Sequence, residues 1–338
     1  MQKYWHGYNK EPLITKLKEI MKKVNYIYNH LGKALLFTAL MFLIMPLAAQ
    51  DDEEVFTIAI HSRGLQRVGN TFESIWLIDN QTTLVPLRKT FEFDVLHRFG
   101  TVQNGYSDFL GLYAPSNIRM GFGYTPINNL MLGFGFTKDR LLWDFNAKYA
   151  LIKEKSGAPV SVTYYGNMAV ETRPAENYQN NSERYSYFHQ IMVSRKVTRD
   201  FSIQGSINLS HFNAVEGFRN SEGEVEAMMK NDHFSASLLG RYKISDALSF
   251  IANYDQPITQ HRFNNPNPNI SLGVELATPL HAFQVFLGNY RWMVPQYNHF
   301  YNNNNYADGA FLIGFNITRL LDVKEEDLGD MMFKRKQK

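Results

Sequence analysis

After residue 88, apolar and polar residues alternate with a period of two through most of the chain. Over residues 90–99 the apolar set is Phe91, Phe93, Val95 and Phe99, opposed by Glu92, Asp94 and Arg98. Ile118, Met120, Phe122 and Tyr124 likewise oppose Arg119, Gly121 and Gly123. Trp143, Phe145, Ala147 and Tyr149 oppose Asp144, Asn146 and Lys148. Further on, Phe201, Ile203, Ile207 and Leu209 oppose Ser202, Gln204, Ser206, Asn208 and Ser210. Near the end, Phe311, Ile313, Phe315 and Ile317 oppose Leu312, Gly314, Asn316 and Thr318. Successive side chains of a strand point to opposite faces, so each segment reads as a strand with one apolar face. About twelve are predicted, near 89–99, 117–125, 130–138, 141–152, 159–172, 184–197, 201–213, 232–244, 248–256, 269–278, 281–292 and 309–319. No helical period stands out past residue 50, except in the acidic stretch 221–230, whose spacing admits a short helix.

The connections sort by length. TPINN, KEKSGAP, VTRD, SDA and TPLH are short turns. The alternate connections, 100–116, 173–183, 214–231, 257–268 and 293–308, are long, with only 138–140 short. Short turns at one end and long loops at the other are expected of an outer-membrane barrel with its turns in the periplasm. The predicted fold class is therefore all-β: a single antiparallel transmembrane β-barrel of about 12 strands, with long extracellular loops. Lipid offers no partner to an unpaired strand edge, which forces closure. Tyr124, Trp143, Tyr149, Tyr254 and Trp292 lie near segment ends, where interfacial girdles form. The competing architecture, a soluble β-sandwich or large periplasmic β-protein, also alternates, but its outward faces are polar and its loops are not sorted by side.

The stretch from Ala34 to Met45 is apolar except for Thr38. Lys22, Lys23 and Lys33 precede it, and Pro46, small residues and the acids Asp51 to Glu54 follow. A membrane-spanning helix needs roughly 20 apolar residues. This shorter run, in this order of features, reads as a secretory signal. The competing reading is an N-terminal anchor. The leader before the apolar run is long, and Met21-Lys22-Lys23 makes a better start than Met1. The predicted organisation is a signal region at 1–50, a periplasmic segment at 51–88, the barrel at 89–319 and a charged tail at 320–338. The predicted location is the cell outer membrane, reached by export with a cleaved signal peptide.

Composition agrees. Aromatic content is 14% while mean hydropathy is −0.32, which excludes a polytopic helical membrane protein and suits alternation. A net charge of +3, with no basic stripe interleaved with aromatics, gives no reason to expect nucleic acid as a partner. There is no cysteine, which rules out disulfides, thiol catalysis and Cys-based zinc sites and fits an oxidising compartment.

If the apolar faces meet lipid, the opposite faces line a lumen. Candidate lining residues are Glu92, Asp94, Asp144, Glu171, Asp255 and Glu275, with Arg98, Arg119, Lys148, Arg241 and Lys243. About twelve strands lie between the filled barrel of ~8 and the aqueous channel of 16–18. These charges either pair across the lumen and close it or leave a narrow polar path. Many remaining inward positions are Gly, Ser or Asn, which leave space and tilt the expectation toward a pore. A lipid hydrolase needs a Ser and a His within reach on a bilayer-facing surface. His233 and Ser235 have the spacing, but their face continues through Ser237, Arg241 and Lys243, so they read as a polar lumen pair. His97 falls on an otherwise apolar face and reads as interfacial. The histidines form no metal-ligand pattern. GFGY and GFGF lie inside strands, where Gly permits curvature and close packing rather than cradling phosphate. The Asn-rich runs 263–269 and 297–309 have loop composition, with calcium or sugar binding the alternative. No catalytic residue, cofactor or metal is predicted.

The segments LHRFG (96–100), FLGLYAPSNIRMGFGYTPINNLMLGFG (109–135), KYALIKEKSGAPVSVTYYGNMAV (148–170), HAFQVFLGN (281–289) and GFNITRLL (314–321) resemble an uncharacterised outer-membrane β-barrel family common in Bacteroidetes. The likeness spans roughly residues 71–321. It implies fold and location, and brings no catalytic residue or ligand. The charged tail from Asp322 to Lys338 departs from such barrels, which usually finish on a strand. The functional expectation is a porin-like passive channel for small hydrophilic solutes. The alternative is a closed scaffold barrel that binds a periplasmic or surface protein, and a lipid hydrolase comes third. In each case the immediate partner is membrane lipid, including the lipopolysaccharide leaflet.

Overall fold

The computed structural model describes residues 71–322, apart from 155–157, 175, 177 and 279. The signal-like stretch, the Met21 start, residues 51–70 and the tail from 323 lie outside the described residues.

Two very short strands come first, β1 (Trp76–Leu77) and β2 (Asn80–Gln81). Long strands follow: β3 (Thr90–Thr101), β4 (Asn117–Ile127), β5 (Leu130–Thr137), β6 (Leu142–Ile152), β7 (Ser161–Glu171), β8 (Tyr185–Lys196) and β9 (Phe201–Phe212). A small hairpin, β10 (Gly217–Arg219) and β11 (Val225–Ala227), interrupts the series. The series resumes with β12 (Asp232–Lys243), β13 (Leu248–Pro257), β14 (Asn269–Ala277) and β15 (His281–Gly288). A six-residue helix, α1 (Pro295–Phe300), precedes the last strand, β16 (Leu312–Asp322).

All twelve long strands pair antiparallel with their neighbours, and β16 closes the barrel on β3, from Leu312 opposite Thr101 to Asp322 opposite Thr90. Closure removes both sheet edges, as lipid requires. The alternation inverts that of a soluble protein. Along β8 the buried face is Ser186, Phe188, Gln190, Met192 and Ser194, while Ile191 and Val193 are exposed. Leu132, Phe134, Ile207, Leu238, Leu272, Val285 and Leu287 are likewise exposed. Apolar outside and polar inside is the pattern of a barrel wall in a bilayer, not of a sandwich. No described helix is long and apolar enough to cross a membrane.

Each predicted strand is present within a few residues, and the long loops gather at one end (the loop end) opposite the short turns (the turn end). Four expectations need correction. Residues 71–86 do not hang outside the barrel as part of a segment 51–88; they are almost all buried, bonded to inward-facing wall residues. The stretch 221–230 is not helical, because Val225–Ala227 pairs with Gly217–Arg219. Among the described residues of the long loops, an α-helix lies instead at Pro295–Phe300, inside a stretch read as plain loop. Residues 320–322 belong to the last strand rather than the tail.

Candidate functional site: the filled lumen

The charged inward residues condense into separate clusters. Arg119 Nε and Nη2 donate to the two oxygens of Asp144, both at 2.9 Å, and Nη1 donates to Asp94 at 2.8 Å. These residues come from β3, β4 and β6, brought into register across β5 by Asp94 opposite Gly121, Arg119 opposite Thr137 and Gly135 opposite Asp144. The glycines are needed there. A Cβ on Gly121 would stand 2.2 Å from Asp94 Oδ2, and one on Gly135 would stand 2.3 Å from Arg119 Nη2. Inward glycines at this level make room for the guanidinium of Arg119 and the carboxylate of Asp94.

Arg241 Nε donates to Glu275 at 2.8 Å, and Gln284 donates to the other oxygen of Glu275 at 2.8 Å. Glu171 sits at the loop end with Arg140 (3.2 Å) and Arg173. Lys243 departs from the rest: it pairs at 2.7 Å with Asp246 in the turn that follows β12, at the rim. Glu92 is buried beside Gly123 and Met131.

The remaining predicted residues hold a piece of the chain that the periodicity did not reveal. Residues 71–86 enter from the turn end, where Thr71 donates to Glu154 at 3.0 Å, and fold back through the β1–β2 pair. Lys148 Nζ donates to Gln81 Oε1 (2.7 Å) and Thr82 O (3.3 Å). Arg98 donates to Ile78 O (3.3 Å), and Asp255 accepts from Asn80 (2.9 Å). Arg119 lies 5.4 Å over the Trp76 ring. The uncharged wall contributes as much. Gln284 accepts from Ile78 N (3.0 Å) and donates to Trp76 O (2.7 Å), Gln204 accepts from Thr83 N (2.9 Å) and donates to Gln81 O (2.8 Å), and Thr83 Oγ1 meets Ser194 Oγ at 2.5 Å. So short a hairpin cannot satisfy its own backbone, and the wall's amides and hydroxyls complete the accounting.

Its apolar side chains find matching wall residues. Leu77, Ile78 and Phe72 pack with Leu239, Ile251, Phe286 and Tyr290, and Ile75, Trp76 and Val85 with Leu96, Met131 and Leu320. Those wall residues were the available signal. Leu96, Leu239, Ile251 and Leu320 are apolar residues on otherwise polar inward faces, which makes sense only against a dry filling. Ile78 turns the hairpin at φ 61°, a left-handed conformation that a β-branched residue adopts only when its surroundings impose it.

A second filling descends from the loop end. All six residues of α1 are buried. Gln296 donates to Asn167 (3.0 Å), His299 Nδ1 meets Ser235 Oγ (3.0 Å), and the His299 ring stacks on Phe188 at 5.3 Å. Phe300 packs on Phe212 (4.5 Å) and His261 (5.1 Å). His261 Nδ1 accepts from Lys230 N (2.9 Å), which places its proton on Nε2, the atom 2.9 Å from His233 Nδ1. Above this, Arg140 lies 5.5–5.7 Å from the rings of Trp292, Tyr297 and Tyr301.

The two fillings meet at Asp79, the tip of the hairpin. Its carboxylate accepts from Asn253 of the wall (2.8 Å), Tyr290 (2.9 Å) and Asn298 of α1. Asp255 nearby accepts from Asn80, Asn253 and Asn269.

His233 and Ser235 face inward as expected, but they bond to His261, buried against α1, and to His299 of α1 itself. His97 stacks on Phe315 at 4.9 Å on the outward face. The Asn-rich runs tie loops together: Asn302 donates to Asn269 (2.7 Å), and Asn289 to Pro268 O (2.8 Å) and Asn304 O (2.9 Å). Among the described residues no group of three or more His, Asp or Glu is placed to hold a metal ion.

No curated protein matches the sequence significantly. Among solved structures the fold is similar to the NanC porin, at 10% identity and TM-score 0.44 over 69% of this chain and 100% of that one. It is also similar to the COG4313 outer membrane channel from Pseudomonas putida F1, at 12% identity and TM-score 0.42 over 70% and 97%. The KdgM porin is similar at 8% identity and TM-score 0.37 over 68% and 98%. The family model of a membrane-bound β-barrel domain (DUF5777) matches residues 72–321, hairpin and barrel alike, and the chain belongs to that family.

Proposed function

We propose that this chain is an outer-membrane barrel that stands closed, a scaffold presenting its loops at the cell surface, rather than a permanently open passive channel. One observation carries the reading. Residues 71–86 occupy the lumen and take up inward groups that an aqueous channel would leave to solute and water, among them Arg98, Lys148, Gln204, Gln284 and Asp255. The Arg119 and Arg241 ion pairs neutralise much of the remaining inward charge within the wall. An outer-membrane location rests on the closed barrel, the sorted loops and the signal-like stretch 34–50. The periplasmic turns are then the short ones, and the hairpin enters from the periplasm.

A specific observation keeps a second reading in view. Beneath the hairpin the wall is largely polar, with Gln190, Ser194, Gln204, Asn253 and Asn316 all buried, so an emptied lumen would be wettable. In that case the chain is a channel that opens only when the hairpin withdraws. Liposome swelling separates the readings from a standing pore. Full-length protein should admit no small sugar or amino acid, and removing residues 71–86 should admit them only if the emptied barrel is a channel. Swelling by the full-length protein at ordinary porin densities would sink the closed-barrel proposal.

A further inference from the structure

The loop between β3 and β4, residues 102–116, is ordered by its own bonds yet turns its large side chains outward. Tyr106 is 88% exposed, Tyr113 81%, Phe109 53% and Leu110 39%. Scattered exposed apolar residues need no explanation, but a cluster this dense on an ordered loop does. Leu110 N donates to Gly105 O (2.7 Å), Tyr113 N to Asp108 O (3.0 Å) and Gly111 N to Asp108 Oδ1 (2.8 Å). The loop is anchored to the strand end where Gly100 N donates to Gly111 O, and a Cβ on Gly111 would stand 2.3 Å from Gly100 O. Phe109 and Leu110 are both left-handed, at φ 54° and 57°. Bulky residues rarely adopt this conformation. Phe109 stacks against Tyr113 at 5.7 Å, with both rings exposed.

The character of the surface narrows its occupant. Asp108 is the one charged residue in 102–116. Its oxygens are already used by Gly111 N and Asn104 Nδ2. Lys138 Nζ reaches the loop only at its far end, at Ser116 O (2.8 Å), so the aromatic cluster has no cation of its own for an anionic ligand. A protein partner normally needs about 800 Å² and 20–30 residues a side, more than this loop offers. What the loop does offer is flat aromatic rings with neutral polar tips, the phenols of Tyr106 and Tyr113, whereas the amides of Gln103 and Asn104 are bonded to Asp308 O and Asp108. Aromatic faces suit the C–H faces of a pyranose ring and phenols suit its hydroxyls, since Tyr pairs an apolar body with a polar tip.

We infer that loop 102–116 is a binding platform for a neutral oligosaccharide at the loop end of the barrel. It stacks sugar rings on Tyr106 and on the Phe109–Tyr113 pair. The site is independent of whether the lumen opens, so its failure leaves the closed-barrel reading untouched.

The test uses full-length protein in detergent against neutral gluco-, manno- and galacto-oligosaccharides of several units, with dextran sulfate as the charged control, followed by calorimetry. At least one neutral oligosaccharide should bind, and Tyr106→Ala and Tyr113→Ala should each weaken it about tenfold, as expected for loss of an anchoring ring. Both side chains are solvent-exposed, so the heat-modifiable gel migration of the folded barrel should stay unchanged. Binding by none of the neutral probes, binding of dextran sulfate alone, or affinity indifferent to both substitutions would overturn the inference.

Discussion

Arg119 holds two carboxylates with three charged hydrogen bonds in a place without water access. Such a cluster adds little net stability over an apolar replacement, but breaking it leaves charge stranded. Arg119→Met should therefore destabilise the folded barrel by about 3–5 kcal/mol, whereas the triple change with Asp94→Asn and Asp144→Asn should recover most of the loss. Urea titrations followed by Trp fluorescence would show both. Gly135→Ala pushes a methyl against the same guanidinium and should cost about 1–3 kcal/mol, an overpacking effect. At this scale much was legible. Alternation alone put Asp94, Arg119 and Asp144 on one side of their strands. Their mutual contact was not legible, because it depends on the register of four strands, β3 to β6, and a one-residue slip would separate them.

Among the elements, α1 and the hairpin explain each other. Neither is periodic enough to announce itself: β1 and β2 are two residues each, and α1 is six residues behind a proline. Their evidence lay instead in the wall, in Leu239, Ile251 and Phe188 at inward positions and in Phe212 at the loop end. The α1 filling depends on neutral imidazoles. Burial lowers the pKa of His299, and burial together with Lys230 lowers that of His261. A histidine whose folded pKa is lowered stabilises the docked state above its ordinary value of about 6.5, and the stability is lost as pH falls below it. Protonating His261 at Nδ1 also breaks its bond from Lys230 N. Protection factors across 295–300, which remove the intrinsic pH dependence of amide exchange, should accordingly fall between pH 7.5 and pH 5.5 while those of the barrel strands hold. His261→Gln should lessen that dependence. Equal protection at both pH values would place the control elsewhere.

The described residues form a wall and two fillings that meet at Asp79. The barrel itself was readable in the chain because every crossing strand repeats the same period and the loops sort by length. The state of its lumen was not, since the same polar inward faces serve water in a channel and a hairpin in a closed barrel. The most direct test asks whether residues 71–86 are inside. Thr83 and Ser194 touch through their hydroxyls at 2.5 Å, close enough for two sulfurs to bond once replaced, and the chain has no cysteine to interfere. The double variant Thr83→Cys, Ser194→Cys, expressed in its native membrane, should form the disulfide nearly completely. It should stay shielded from maleimide added to unreduced membranes. Two free thiols, with Cys at 83 labelled readily, would mean that the hairpin lies outside and that the closed-lumen account is wrong.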